Sequence, residues 1–301
     1  MSETFDCVVV GGGPAGLTAA IYLARFRRSF RLIDSGVSRA GWIPLARNYA
    51  GFPEGISGPD LLARSRAQAL RYGAEIVADR VEGLEAVASG FRLSLQGQDM
   101  TARRVILATG VVENEPNLPG CLDAVKRGLL RICPICDGYE GVGKSVGVLG
   151  NSDHAAAEAL FMRTYSDAVT LILVGGDCQL PPERRRELSV AQVDVIETPI
   201  EAVSLDGGAI RAFDLQGGGV RRFELIYSAF GVTPQHALAD AVGARRDDSG
   251  RLYVGEHQET SVTGLYAAGD LVRGLNQISV AVGEAALAAT AVHNSLPRNQ
   301  A

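Results

Sequence analysis

Short apolar runs that end at glycines alternate with Ala- and Leu-rich stretches along most of this chain. That is the pattern of buried parallel strands joined by helices. Phe5-Asp6-Cys7-Val8-Val9-Val10 is the first such run and predicts a buried strand. Gly11-Gly12-Gly13-Pro14-Ala15-Gly16 then turns the chain into a helix expected to reach about residue 26. Arg31-Leu32-Ile33-Asp34 reads as the second strand and ends in an acid. Turn chemistry follows at Asn48-Tyr49-Ala50-Gly51-Phe52-Pro53, then a helix over residues 58–72. Residues 74–95 alternate apolar and polar, which predicts a small β layer. Arg104-Val105-Ile106-Leu107-Ala108-Thr109-Gly110 is another buried strand.

Near Val112 the pattern shifts to Glu113-Asn114-Glu115-Pro116, a crossover into a second domain. There the opening pattern returns in altered form, with a strand at residues 145–149 and a turn at Gly150-Asn151-Ser152-Asp153-His154-Ala155. A helix at 155–165 and a strand at 169–173 complete the unit, an internal repeat of the fold. A last strand at 225–230 leads to Gly231-Val232-Thr233-Pro234, the crossover back. The tail supplies a strand and turn through Gly269-Asp270, then an Ala-rich helix over 277–293. The expected architecture is α/β, with two Rossmann-like, three-layer dinucleotide-binding domains. Residues 1–112 and 234–301 form the first, and residues 113–233 are inserted as the second.

The first strand, turn, helix and acid-tipped strand make a complete βαβ fingerprint. Gly11 permits the tight turn, Gly13 lets the backbone approach a pyrophosphate, and Gly16 allows close helix–strand packing. The helix N-terminus offers free N–H donors, and Asp34 is placed to accept from ribose hydroxyls.

The second chemical feature is Cys133-Pro134-Ile135-Cys136-Asp137-Gly138. Two cysteines separated by two residues can close a small, reducible disulfide, and one thiol can be held as thiolate. Zinc would need about four ligands. The remaining cysteines (Cys7, Cys121, Cys178) and histidines (His154, His236, His257, His293) form no paired spacing, so no metal site is expected. Cys7 reads as a core residue, and Cys121 and Cys178 carry no assigned role. A formal net charge of -5 argues against nucleic-acid binding, and Arg184-Arg185-Arg186 reads as a solvated helix face. No apolar stretch approaches a membrane span, and no signal peptide is expected. Five cysteines in a chain of 301 residues fit a reducing cytoplasm with one catalytic pair.

Taken together, Gly-Gly-Gly-Pro-Ala-Gly, the Ala-Thr-Gly strand end, Cys-x-x-Cys-Asp-Gly and Ala-Ala-Gly-Asp make the chain resemble the low-molecular-weight, bacterial-type thioredoxin reductases over essentially its full length. The resemblance implies an FAD domain built from both chain ends, an inserted nucleotide domain, and a homodimer. It places Gly11, Gly13, Pro14, Ala15, Gly16, Asp34, Ser35, Asn48, Thr109 and Gly110 against FAD. It adds Gly269 and Asp270 at the ribityl and phosphate region, and Gln277 and Ile278 at the flavin pyrimidine edge. It implies that Cys136 faces the flavin, Cys133 attacks the substrate, and Asp137 donates and accepts the proton. Asp137 is also placed to cap a helix.

The chain departs from that family at the second fingerprint. Ser152 stands in place of a glycine, and its Cβ obstructs approach to a pyrophosphate. Leu173-Val174-Gly175 stands where NADPH-using members carry His-Arg-Arg, and residues 184–186 lie too far along to replace it. NADPH is therefore expected to be a poor donor. Near the flavin, Val37-Ser38-Arg39-Ala40 replaces the usual Gly-Gly-Gln-Leu. These departures resemble ferredoxin- or flavin-linked relatives and the oxidases that close disulfides in gliotoxin and holomycin, although those usually carry His where this chain has Asp137. The reading is an FAD-dependent disulfide oxidoreductase acting on a thioredoxin-like protein or a small-molecule disulfide or dithiol. A dithiol oxidase using molecular oxygen, an ordinary NADPH-dependent thioredoxin reductase, and a flavin-binding redox sensor remain the alternatives.

Overall fold

The computed structural model describes residues 4–114, 124, 127, 129–174, 179–198, 200–206, 209–217 and 219–298. Cys121, Cys178, Gly175 and the Glu115-Pro116 stretch lie outside the described residues. The chain divides into two compact units, one of residues 1–41, 49–112 and 233–301, the other of residues 42–48 and 113–232. The short segment 42–48 belongs to the second unit, an addition that no sequence pattern announced.

The first unit opens with β1 (Thr4–Val10), α1 (Pro14–Arg25) and β2 (Phe30–Ile33). Next come α2 (Gly58–Arg71), β3 (Ile76–Val77), β4 (Gly83–Val87), β5 (Gly90–Leu95), β6 (Gln98–Leu107) and β7 (Val111–Glu113). Helix α2 starts where Ser57 Oγ accepts from the Asp60 N–H at 3.1 Å, an N-cap backed by an acid in the first turn.

In the second unit lie α3 (Pro134–Asp137), β8 (Ser145–Gly150), α4 (Asp153–Met162), β9 (Ala168–Leu173) and α5 (Pro182–Val190). After them come β10 (Asp194–Ile196), β11 (Ile200–Asp206), β12 (Ala209–Leu215), β13 (Val220–Arg222) and β14 (Leu225–Ser228). The chain continues with β15 (Val232–Pro234), α6 (Ala237–Ala241), β16 (Leu265–Ala267) and α7 (Ile278–Asn294).

In the first unit the sheet order is β3-β2-β1-β6-β5-β4, with β16 also on β6. Strand β6 does two jobs. Its second half pairs in parallel with β1 and β16, and its first half pairs antiparallel with β5. One face of the parallel strands is covered by α1 and α7, where the buried Ala281, Ala285, Ala288, Ala289 and Val292 give α7 a narrow face against Leu17, Ala20 and Leu23 of α1. The other face, through Val8, Val10, Val105 and Leu107, meets Phe91, Leu93 and Leu95 of the meander. Each fully buried Leu contributes roughly 1.5–3 kcal/mol of burial free energy.

The second unit repeats the theme with a parallel sheet of order β10-β9-β8-β14 and an antiparallel sheet of order β11-β12-β13. Ala155, Ala156, Ala159 and Met162 of α4 pack on Val146 and Val148 of β8 and Leu171 of β9. The opposite face of that sheet, at Leu149, Ile172 and Ile226, meets Phe213 and Phe223. The fold is α/β with two Rossmann-like units, as the alternating pattern predicts.

Candidate active site

The first glycine turn sits between β1 and α1. Gly11 has φ +110, and a Cβ there would lie 2.3 Å from the Ala108 carbonyl oxygen. A Cβ on Gly16 would lie 1.7 Å from the Gly11 carbonyl oxygen, so the close helix–strand contact admits only glycine. At Gly13 the same addition meets only Ser38 Oγ, at 3.3 Å, which leaves the backbone open to an approaching group. No acid stands in the first turn of α1, so its amide donors meet no carboxylate of their own. This turn fits a dinucleotide pyrophosphate.

Around it the unit gathers residues from distant parts of the chain. Asp34 is buried at the end of β2, where Oδ1 accepts from the Gly36 N–H at 2.9 Å and Oδ2 pairs with Arg66 of α2. Gly12, given no role by its sequence, is required here, because a Cβ would strike the Asp34 carboxylate. Gly269 takes φ +82 beside Ala15, and its N–H donates to Glu284 Oε2 at 2.8 Å. Burial pushes the Glu284 carboxyl up, partly offset by that N–H and reinforced by Asp270. Asp270 pairs with Arg39 at 3.0 Å, so the departure at residues 37–40 brings a cation to this turn. Thr109 and Gln235 exchange hydrogen bonds at 2.8 and 2.7 Å, and Gln235 N–H donates to Gly110 O. Gln277 is the N-cap of α7, Ile278 its first residue, and Ser35 is exposed. Asn48 belongs to the second unit, where its amide donates to Ile135 O at 3.5 Å.

The second turn, between β8 and α4, is chemically different. Ser152 is the N-cap of α4 and makes no capping hydrogen bond, while Asp153 puts a carboxylate into the first turn. Arg184 of α5 grips that carboxylate with both ends of its guanidinium, at 2.7 and 3.0 Å, and also reaches Glu187. The hydrogen bond from Arg184 holds Asp153 below the usual carboxylate range. Arg184 is thus no plain solvated residue. It folds back onto the turn, although its charge there is engaged by acids of the chain itself. His154 pairs with Glu158 at 3.1 Å.

Cys133 and Cys136 close a disulfide with Cα atoms 5.3 Å apart. Cys133 is the N-cap of α3 and Pro134 its first residue, a position where the missing N–H costs nothing. Asp137 ends α3, and its side chain does not cap the helical turn that follows. Instead, Oδ2 pairs with Arg131 at 2.8 Å and Oδ1 accepts from the Tyr227 hydroxyl at 2.9 Å. Burial raises the Asp137 carboxyl above its ordinary value, while Arg131 and Tyr227 pull it back. Among the described residues no group of three His, Cys, Asp or Glu side chains is arranged to hold a metal, and no helix is long and apolar enough to cross a membrane.

Residues 5–285 match the family model described as pyridine nucleotide-disulphide oxidoreductase. The chain belongs to that family. Among curated proteins it is 32% identical to a "Bifunctional thioredoxin reductase/thioredoxin" of Mycobacterium leprae over 94% of this chain and 64% of that protein, so it spans about two thirds of that relative. Among solved structures it is similar to HlmI, with TM-score 0.88, 30% identity, and 98% and 93% of the two chains covered. It is also similar to the thioredoxin reductase of Streptococcus pyogenes, with TM-score 0.87, 25% identity and 98% of each chain covered.

As a member of this family the chain has the expected pair of βαβ units and the expected disulfide. Sequence reasoning missed Arg131, Tyr227, Arg66, Gln235 and Glu284. Each acts through a partner 6 to 126 residues away in the chain, and no local signal marks such a pairing.

Proposed function

We propose that this protein is an FAD-dependent, thioredoxin-reductase-like disulfide oxidoreductase whose redox centre is the Cys133–Cys136 pair. The observation that carries the reading is that disulfide, closed beside a carboxyl held by two donors, in a chain whose first glycine turn is left open. Residues 1–112 and 234–301 are assigned to FAD, and residues 113–233 to the inserted nucleotide-like domain. The holders proposed for FAD are Gly11, Gly13, Pro14, Ala15, Gly16, Asp34, Ser35, Asn48, Thr109, Gly110, Gly269, Asp270, Gln277 and Ile278. Bound FAD supplies a two-electron store. The protein's own part is thiol–disulfide exchange. Cys133 thiolate attacks a substrate disulfide, a mixed disulfide forms, and Cys136 then displaces the substrate sulfur to close the pair again. Run backwards, the same steps oxidise a dithiol.

The expected partner is a thioredoxin-like protein or a small-molecule disulfide or dithiol. Exposed Ile135, Tyr139 and Val142 near the pair supply apolar surface for either. A homodimer in the cytoplasm completes the reading. NADPH is proposed to be a poor donor. Ser152, the Asp153 carboxylate at the start of α4 and the engagement of Arg184 by Asp153 and Glu187 support this. Reduced flavin, ferredoxin or a dithiol is then the donor. The same observations favour one second reading, a dithiol oxidase that passes electrons to molecular oxygen.

Anaerobic titration of the purified protein with NADPH, NADH and dithiothreitol, following flavin bleaching, tests the scheme. Bleaching by dithiothreitol at lower concentration than by NADPH is the expected result. Absence of flavin, or a flavin that no dithiol reduces, would overturn it.

A further inference from the structure

We propose that Arg131 and Tyr227 are positioning residues that together aim the Asp137 carboxyl for proton exchange with the thiols of the Cys133–Cys136 pair. The proposal rests on the reading of Asp137 as proton donor and acceptor. Each carboxyl oxygen has its own partner, Oδ1 the Tyr227 hydroxyl at 2.9 Å and Oδ2 the Arg131 guanidinium at 2.8 Å. The same two side chains also reach the Asp137 carbonyl oxygen, at 3.1 and 3.3 Å, so backbone and side chain are held at once.

The two holders are themselves fixed. Arg131 bridges β14 in parallel, its N–H donating to Ile226 O at 2.9 Å and its carbonyl accepting from Ser228 N–H at 2.7 Å. Tyr227 between them is fully buried, on a strand where phenylalanine would fill the same space. A buried hydroxyl needs a partner, and this one finds it on the residue next to the redox cysteine.

The charged and titratable groups facing Asp137 are Arg131, Tyr227 and Glu140, the last paired with Arg47 at 3.5 Å. Burial and Glu140 favour the neutral acid; Arg131 and Tyr227 favour the carboxylate. Burial prevails, so the carboxyl lies above its ordinary value and the two donors limit how far. In the exchange, Cys133 thiolate attacks one sulfur of a substrate disulfide and a substrate thiolate leaves. Protonated Asp137 gives that thiolate its proton. The resulting carboxylate takes the proton of the Cys136 thiol, whose sulfur then attacks Cys133 and releases the second substrate thiolate. One dithiol is oxidised, one disulfide is reduced, and Asp137 ends protonated as it began.

The test uses FAD-loaded protein, reduced anaerobically with dithionite, and single-turnover oxidation of the pair by two probes. Bis(2-hydroxyethyl) disulfide releases an aliphatic thiolate that needs a proton, whereas 4,4′-dithiodipyridine releases a thiolate that does not. With the aliphatic probe, Asp137→Asn should slow exchange about a hundredfold and Tyr227→Phe or Arg131→Gln about tenfold. The pH limb should move upward by about one unit or more in the latter two, and Arg131→Lys should recover part of the shift. With dithiodipyridine the release of the first thiolate should lose its dependence on the Arg131 and Tyr227 variants, while closure of the pair, which still needs the Cys136 proton removed, should slow in both. Equal losses on both probes in the release of the first thiolate, or an unmoved limb, would overturn the positioning role while leaving that of Asp137 intact. Unchanged aliphatic exchange in Asp137→Asn would remove the underlying reading itself. Tyr227→Phe keeps the core volume and decides the matter if Arg131→Gln does not fold.

Discussion

The two βα turns share one strand–turn–helix arrangement and differ in their chemistry. At the first, α1 starts with glycine and proline, has no acid in its first turn, and leaves Gly13 open. At the second, α4 starts with serine followed by Asp153, and Arg184 closes over that carboxylate. A helix N-terminus attracts negative charge whatever its source. One turn leaves that attraction for an incoming phosphate, and the other satisfies it from within the chain. On the reading proposed above, the same supersecondary unit is kept for a dinucleotide at one turn and closed on itself at the other by two or three side chains.

The difference is broken most severely at the first turn. Gly13→Glu should yield folded protein without FAD, since the side chain fills the approach and adds a negative charge. Ser152→Glu, the matching change at the second turn, should leave FAD content untouched. Circular dichroism and the flavin absorbance of the purified variants check both. Stoichiometric FAD in Gly13→Glu would mean that this turn is not the cofactor's seat.

Next in size is the loss of turnover when either cysteine is removed, with different spectra in the two cases. Cys133→Ser should leave Cys136 as a thiolate against oxidised flavin, seen as a long-wavelength charge-transfer band. Cys136→Ser should show none. A band found only in the latter would exchange the two assignments.

The second turn is then probed through its donor. NADPH should reduce the flavin slowly, with no more than about a threefold preference over NADH, because Arg184, the cation at this turn, is engaged by Asp153 and Glu187. Stopped-flow traces showing millisecond reduction by micromolar NADPH, far ahead of NADH, would restore an ordinary thioredoxin reductase. The smallest effect is expected from Asp153→Ala, which removes the internal carboxylate and releases Arg184. Affinity for NADPH should rise about tenfold in calorimetry. No gain would show that the ion pair is not what weakens the site.

Much of this molecule was legible along the chain because its demands are local. An apolar run too short for a helix and bounded by glycine makes a buried strand, and the first fingerprint needs glycines at fixed offsets for steric reasons that hold in any fold. The strand, turn and helix at residues 5–26 follow from those demands, as do α2 after its Ser57 cap and the cysteine pair at the start of α3. The course of Arg184 was not legible. Its spacing argued against its replacing the missing arginines and left open a fold-back of residues 184–186 over the turn; α5 does return Arg184 to Asp153, 31 residues earlier. Nor was the place of segment 42–48 legible, since it is contacts in the folded chain that group it with the second unit.

By itself the sequence determined which elements form, where the glycine turns fall, and which two cysteines are near enough to pair. Those properties depend on backbone sterics, side-chain period and spacing over a few residues. Only the tertiary structure decided what those groups experience. Asp137, expected as the proton donor and acceptor and also placed to cap a helix, does not cap and is turned to Arg131 and to a tyrosine 90 residues away, because β14 passes beside the segment that leads into α3. Asp153 and Arg184 pair for the same reason. Charge and hydrogen bonding act over a few ångströms of space, and separation along the chain does not measure that distance.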